Sequence, residues 1–123
     1  MSKLVLVVDD DAHIRDAISS VLEDEGFRTV CVEHGGAALD YLRSGGERPC
    51  MILLDLMMPV MDGQTFRSEQ RADPQLANIP VVVISAYRDV ERQANDLAAE
   101  FLQKPVRLET LLETARKHCD AAA

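Results

Sequence analysis

Hydrophobic positions along the chain follow two alternating patterns. Short continuous apolar runs are typical of strands buried on both faces, and stretches with apolar residues three or four positions apart indicate helices. The runs predict strands at residues 4–8, 27–32, 51–54, 80–84 and 101–104. The helical spacing predicts helices from residue 14 to a stop at Gly26, and at 37–42, 64–71, 90–98 and around 108–115. Gly35-Gly36 is expected to interrupt the chain before the second helix.

These elements form five β-then-α units without a repeat or a linker, so residues 1–123 are expected to be a single domain. Strands that lack polar alternation need cover on both faces, which the helices supply. Right-handed crossovers then produce a doubly wound parallel sheet. The predicted class is therefore α/β, a five-stranded (βα)5 sheet in a three-layer α/β/α arrangement.

The composition of the chain limits the classes of function that it can have. Lys and Arg total 13 against 21 Asp and Glu, a formal net charge of −8. Such a chain is a poor candidate for binding nucleic acid or an anionic membrane through its own surface. The N-terminal apolar run has five residues, too few for a signal peptide or a membrane span. The three cysteines, Cys31, Cys50 and Cys119, include no C-x-x-C pair, and reduced, buried or semi-buried thiols in a cytoplasmic protein are expected.

Polar side chains stand where four of the predicted strands end. The first strand runs into Asp9-Asp10-Asp11, the third into Asp55, the fourth into Ser85 and the fifth into Lys104. Because the carboxyl ends of parallel strands share one edge of the sheet, these groups are expected to converge on one cleft.

Asp9, Asp10 and Asp55 would bring nearly three negative charges together, and a hard divalent cation with oxygen ligands relieves that repulsion. Lys104 and the Ser85 hydroxyl add the groups that stabilise a phosphoryl group in transfer. Asp55 is then the candidate nucleophile, as in enzymes that form an aspartyl phosphate.

Each residue also has an ordinary structural interpretation. One of the three successive acids can cap the first helix; Asp11 is best placed, which leaves Asp9 and Asp10 for a metal. Asp55 can be a plain strand-end acid, Ser85 a turn residue and Lys104 a surface cation. Convergence of all these groups at the strand ends favours a common site.

The chain resembles, over its whole length, the receiver domains of two-component response regulators, including the chemotaxis-regulator type. Four stretches carry the resemblance: Val7–Asp10, Leu53–Gly63, Ile84–Ala86 and Lys104–Pro105. The central stretch is the specific one, and the others follow in the family's order. The resemblance implies a flavodoxin-like receiver fold in which Asp55 accepts phosphate from the phosphohistidine of a histidine kinase.

The resemblance also assigns roles residue by residue. Asp10, Asp55 and the carbonyl of Met57 would bind Mg²⁺ (or Mn²⁺), with Asp9 acting mainly through water. The groups that would hold the phosphoryl oxygens are the Ser85 hydroxyl, the Ala86 backbone N–H and Lys104. Phe101 would be the switch aromatic, and Met57 and Tyr87 would control access of water to the acyl phosphate.

Two departures from the family pattern affect these expectations. Ser85 and Lys104 are 19 residues apart, fewer than in many receivers, so the helix at 90–98 or its following loop is expected to be shorter. The face through which receivers usually bind their partners could therefore differ in this chain. The third helix offers only Phe66 as a prominent apolar residue. It is expected to be solvated and weakly packed, or alternatively to form a polar partner surface.

The leading hypothesis is a phosphorylation-controlled binding module that does not turn over an external substrate. Its expected partners are a sensor histidine kinase or a histidine phosphotransfer protein, and an unidentified output protein. A stand-alone receiver, a phosphorelay intermediate and the excised receiver of a larger regulator all remain open. A haloacid-dehalogenase-like phosphatase is a remote alternative, because such enzymes carry an acidic residue where this chain has Met57. An inert receiver is disfavoured because every acidic and basic position is filled.

Overall fold

The computed structural model describes residues 3–55, 63–85, 100–103 and 106–119. Within these ranges the strands are β1 Leu4–Val8, β2 Arg28–Val32, β3 Met51–Asp55, β4 Val81–Ser85 and β5 Glu100–Gln103. The helices are α1 Ala12–Asp24, α2 Gly35–Arg43, α3 Gly63–Ala72 and α4 Leu108–Cys119. The helix predicted at residues 90–98 lies outside the described part of the chain. None of the described helices is long and apolar enough to cross a membrane.

The strands form one parallel sheet in the order β2-β1-β3-β4-β5. The register places Val8 beside Leu54, and Asp55 beside Ile84, so β1, β3 and β4 end at one level. The strand order reverses between β1 and β3, the kind of position where open α/β sheets form their sites. The predicted doubly wound sheet is confirmed.

The core has two halves, one on each face of the sheet. Strand residues alternate between them, since successive side chains point to opposite faces. One half joins Leu6, Leu54 and the helices α2 and α3. The other joins Val7, Leu53 and the helices α1 and α4. The three central strands are therefore buried throughout, which explains their continuous apolar runs.

The start of α2 differs from the expectation that Gly35-Gly36 would interrupt the chain, because both glycines lie inside the helix. The His34 side chain caps it, with Nδ1 accepting a hydrogen bond from the Ala37 N–H at 3.1 Å. A Cβ on Gly36 would approach the His34 ring to 3.2 Å, so a side chain at this position would crowd the cap. At the end of α1, Gly26 has a φ of +92° and stops the helix as predicted.

The third helix is not the weakly packed, solvated element that its composition indicated. Phe66 and Gln70 have no exposed surface, and Arg67 is 8% exposed. The Gln70 side chain donates hydrogen bonds to the Leu76 carbonyl at 2.9 Å and to the Ile79 carbonyl at 3.1 Å. Arg67 donates to the Gln70 side-chain oxygen at 2.7 Å, and burial lowers the pKa of its guanidinium. A buried polar network thus anchors α3 to the segment that precedes β4.

Replacing Gln70 should therefore cost stability although the residue is polar. In Gln70→Leu the carbonyls of Leu76 and Ile79 lose a buried donor and Arg67 loses an acceptor. We expect the free energy of unfolding to fall by about 1–3 kcal/mol, measured by urea denaturation. Gln75→Leu is the matched control, because Gln75 is exposed. Equal losses in the two variants would contradict the importance of the network.

The cysteines also depart from expectation. Cys50 and Cys119 form a disulfide with their Cα atoms 5.2 Å apart, whereas all three thiols were expected to be reduced. The pair is separated by 69 residues in sequence, and only the packing of the end of α4 beside the start of β3 brings it together. Cys31 on β2 is a free thiol, as expected, but it is exposed, whereas a buried or semi-buried thiol was expected.

Candidate functional site

Three carboxylates converge at the carboxyl edge of the sheet. Asp9, Asp10 and Asp55 each offer an oxygen atom, and these oxygens all lie within 4.8 Å of one another. Asp9 is fully buried and Asp55 is 6% exposed, while Asp10 is open to solvent. The predicted convergence of these acids is confirmed.

The donor set fits a hard divalent cation. Mg²⁺ typically keeps several waters and takes one or two carboxylates, together with phosphate oxygens. The site provides carboxylate oxygens at close range and is open to solvent on the Asp10 side, so a hydrated ion can enter. Without a cation, the like charges repel one another.

Local hydrogen bonds hold the β1–α1 loop that carries two of these acids. The Asp9 N–H donates to the Val32 carbonyl at 3.2 Å, which continues the β1–β2 pairing. One Asp9 carboxylate oxygen accepts from the Asp11 N–H at 2.9 Å. Asp11 caps α1, with its side chain accepting from the N–H groups of His13 and Ile14. The predicted capping role of Asp11 is confirmed, and Asp9 and Asp10 lie in the acidic cluster, where their role as metal ligands stays a prediction.

Arg15 is a residue of this site that the sequence analysis did not single out. Its guanidinium donates to the Asp9 carbonyl at 2.7 Å, which fixes the backbone beside the cluster. Arg15 lies one turn into α1, where the helix dipole favours anions over cations. A cation at this position, four residues after the last acid of a run, was the signal in the sequence that could have identified it.

Asp55 and Ser85 come from adjacent strands. Asp55 is the last residue of β3 and pairs with Ile84, so Ser85 lies one residue further along β4. Ser85 is 2% exposed. The buried hydroxyl and the buried carboxylate therefore lie at neighbouring strand ends, as predicted for the carboxyl edge of the sheet.

The other predicted site residues are less fully described. Met57, Ala86, Tyr87 and Lys104 lie outside the described residues. Phe101 lies on β5 beside Val83, and its side chain is 38% exposed.

The family model described as the response regulator receiver domain matches residues 5–116 of the chain. The chain belongs to this family. Receivers of this kind are parts of two-component systems, and they are signalling switches rather than conventional enzymes.

Individual relatives agree with this assignment. The DNA-binding response regulator MtrA of Mycobacterium tuberculosis is 34% identical over 119 residues, which cover 94% of this chain and 50% of MtrA. A response regulator receiver protein of Pseudomonas putida has a structure similar to this receiver (TM-score 0.86, 33% identity), covering 95% of this chain and 98% of that one. The phosphorylated cyanobacterial phytochrome response regulator RcpA gives a TM-score of 0.80 at 30% identity, covering 95% and 91%.

The chain spans about half the length of the curated relatives it matches. The receiver fold predicted from the sequence is confirmed by the solved structures. The description of MtrA as DNA-binding applies to that whole protein, of which this receiver corresponds to half.

Proposed function

We propose that Asp55 accepts a phosphoryl group from the phosphohistidine of a sensor histidine kinase or a histidine phosphotransfer protein, in a Mg²⁺-dependent reaction. The observation that carries the proposal is the convergence of Asp9, Asp10 and Asp55 within 4.8 Å at the carboxyl edge of the sheet. A solved relative, RcpA, is described as phosphorylated, which supports a phosphoacceptor role in this family.

In the proposed site, a carboxylate oxygen of Asp55 attacks phosphorus while the donor's nitrogen leaves. The carboxylates of Asp10 and Asp55 and the carbonyl of Met57 would hold Mg²⁺ (or Mn²⁺), with Asp9 acting mainly through water. When bound, the ion neutralises charge between the attacking carboxylate and the phosphoryl oxygens. The buried position of Asp55 at a strand end keeps its side chain aimed at the edge of the sheet.

Three further groups are proposed to hold the phosphoryl oxygens: the Ser85 hydroxyl, the Ala86 backbone N–H and the Lys104 ammonium. Hydrogen-bond donors that are already in position before the reaction begins stabilise the negative charge on the phosphoryl oxygens, because no reorganisation is needed during the transfer. Met57 and Tyr87, each two residues after a site residue, are proposed to restrict access of water to the acyl phosphate.

The output is proposed to be a change in partner binding. Ser85 would move toward the phosphoryl group, and Phe101, which is 38% exposed here, would turn inward. The surface around β5 would then differ between the two states, which an output protein can distinguish by differential affinity. Whether this receiver works alone, within a relay or as part of a larger regulator does not change the chemistry at Asp55. A cytoplasmic location is part of the proposal, since a kinase supplies the phosphoryl group there.

The phosphatase alternative lacks support from the sequence, since Met57 occupies the position of its acidic catalyst. The protein is therefore proposed to assist only its own phosphorylation and dephosphorylation.

Incubation with acetyl phosphate tests the proposal. With Mg²⁺ present, intact mass spectrometry should detect the gain of one phosphoryl group, and excess EDTA should prevent it because the three carboxylates then repel the donor. A phosphomonoester should not be turned over under the same conditions. Failure to label with acetyl phosphate or with any histidine kinase would refute the phosphoacceptor role, and steady phosphomonoester hydrolysis would favour the phosphatase.

A further inference from the structure

The disulfide between Cys50 and Cys119 lies away from the acidic cluster. Cys50 directly precedes β3, whereas Asp55 ends that strand, so a whole strand of about 17 Å separates the two features. Cys119 is the last residue of α4. We propose that Cys50 and Cys119 form a reversible thiol–disulfide modification site, and that its redox state controls how firmly the end of α4 is held against the sheet.

The chemistry requires an oxidant and a reductant of the low-molecular-weight thiol class, such as glutathione disulfide and glutathione. In oxidation, the Cys50 thiolate attacks the small disulfide and releases one small thiol. The Cys119 thiolate then attacks the mixed disulfide at the Cys50 sulfur, closes the protein disulfide and releases the second small thiol. Two electrons and two protons thus pass to the oxidant, and reduction is the reverse sequence.

The surroundings of the two sulfurs suit this order of events. Cys50 is partly exposed, whereas Cys119 is 2% exposed within the apolar half-core on the α1 and α4 face. An external thiol or disulfide therefore reaches Cys50 first, and Cys119 acts as the covered resolving partner.

The fold can also accommodate Cys50 and Cys119 as reduced thiols. The Cys50 sulfur lies 3.2 Å from the Leu4 carbonyl oxygen, which can accept a hydrogen bond from the thiol. The Cys50 backbone N–H donates to the same carbonyl at 2.8 Å, so this residue is held by β1 whether or not the disulfide exists. Cys119 as a thiol is a small apolar side chain in an apolar cluster. Neither thiol needs a new polar partner when the bond is reduced.

The redox state of the cysteine pair affects β5 through the last turn of α4. Lys117 and His118 both contact one carboxylate oxygen of Glu100, at 2.8 Å and 3.0 Å. Partial burial raises the pKa of Glu100, but the hydrogen bond from Lys117 and the charge of His118 outweigh it, so the net pKa is lowered. Glu100 is the first residue of β5. The disulfide therefore fixes the helical turn that holds the start of this strand.

Reversibility follows from the cytoplasmic location proposed above, because disulfides in reducing compartments are usually transient and redox-sensing. The cross-link itself and its effect on α4 do not depend on the phosphoryl chemistry. They can therefore be tested on protein that has never been phosphorylated.

The first experiment is a redox titration of a Cys31→Ser chain, in which only the pair can react. The folded protein is equilibrated in glutathione and glutathione disulfide mixtures, then alkylated with N-ethylmaleimide in denaturant so that the covered Cys119 also reacts, and weighed intact. We expect a transition from no adduct to two adducts within the range of the mixtures. A pair that stays fully alkylated in every mixture, or that stays fully oxidised in glutathione alone, would overturn the proposal. The Cys50→Ser and Cys119→Ser variants of the same Cys31→Ser chain give the order of attack: only the chain that keeps Cys50 should form a mixed disulfide readily.

The second experiment compares amide hydrogen exchange in the oxidised and reduced Cys31→Ser chain. Oxidation should slow exchange in residues 115–119 by roughly tenfold or more, and should slow it at 100–103 as well, because the disulfide suppresses local opening of the helix end. It should also raise Tm by about 10 °C. Amides around Asp9 and Asp11 should change much less than those at α4 and β5. An exchange difference spread evenly over the chain, or none at α4 and β5, would refute the proposed control.

Discussion

Asp55→Asn is expected to abolish the gain of a phosphoryl group from acetyl phosphate, even with saturating Mg²⁺. The amide keeps the size of the side chain but has no anionic oxygen to attack phosphorus, and it is a weaker ligand for a hard cation. Of the three clustered carboxylates, Asp55 alone ends β3, beside the β4 strand that carries Ser85, so its position is not equivalent to those of Asp9 and Asp10. Intact mass spectrometry of the variant beside the unsubstituted protein measures the effect.

The same substitution should not harm the fold. It removes one of three like charges whose oxygens lie within 4.8 Å, and relief of repulsion at that range is expected to raise the metal-free stability by about 1 kcal/mol. Asp40→Asn is the matched control, because Asp40 is exposed on α2 and lies outside the acidic cluster. It should label normally and leave stability within about 0.5 kcal/mol. Labelling that persists in Asp55→Asn would place the phosphoryl group on another residue.

The sheet and its acidic edge could be predicted because the information is local. A strand covered on both faces appears as a continuous apolar run, as in β1, β3 and β4. The residue that follows such a run must lie at the carboxyl edge, whatever the details of the packing. Asp9, Asp10 and Asp55 therefore needed only the parallel topology to be brought together.

Other features could not be predicted because they depend on contacts between distant segments. The cap of α2 requires the His34 ring to fold back on Ala37, and a glycine pair gives no sign of that. The disulfide joins residues 69 positions apart, and the spacing of Cys50 and Cys119 contains no motif. In each case the signal is a geometric match between surfaces, which a pattern of residue types along the chain does not encode.

The third helix illustrates the same limit most clearly. Its buried face is built from Phe66, Arg67 and Gln70, so a count of apolar residues underestimates its packing. Gln70 is buried only because the carbonyls of Leu76 and Ile79 lie where its amide can reach them. A polar residue with buried partners is equivalent in packing to an apolar one, but its partners are not visible in the helix's own sequence.

Phe66→Ala is therefore expected to be among the most destabilising single substitutions in this receiver. Phe66 has no exposed surface and belongs to the half-core that includes Leu39, Leu54 and Ile79. Truncation removes the transfer free energy of the ring and leaves a cavity between α3 and the sheet. We expect the free energy of unfolding to fall by about 3–5 kcal/mol, measured by urea denaturation.

Phe101→Ala separates this effect from a general cost of losing a phenylalanine. Phe101 is 38% exposed on β5, so its ring already contacts water and its removal leaves no enclosed cavity. Its loss should cost about 1 kcal/mol or less. If α3 were the solvated helix that its composition indicates, the two variants would lose similar small amounts of stability. If Phe66→Ala loses much more free energy of unfolding than Phe101→Ala, α3 must be a structural part of the core. Because Phe66 packs in the half-core that contains Leu54, the residue before Asp55, that loss should also weaken the support of the acidic edge of the sheet.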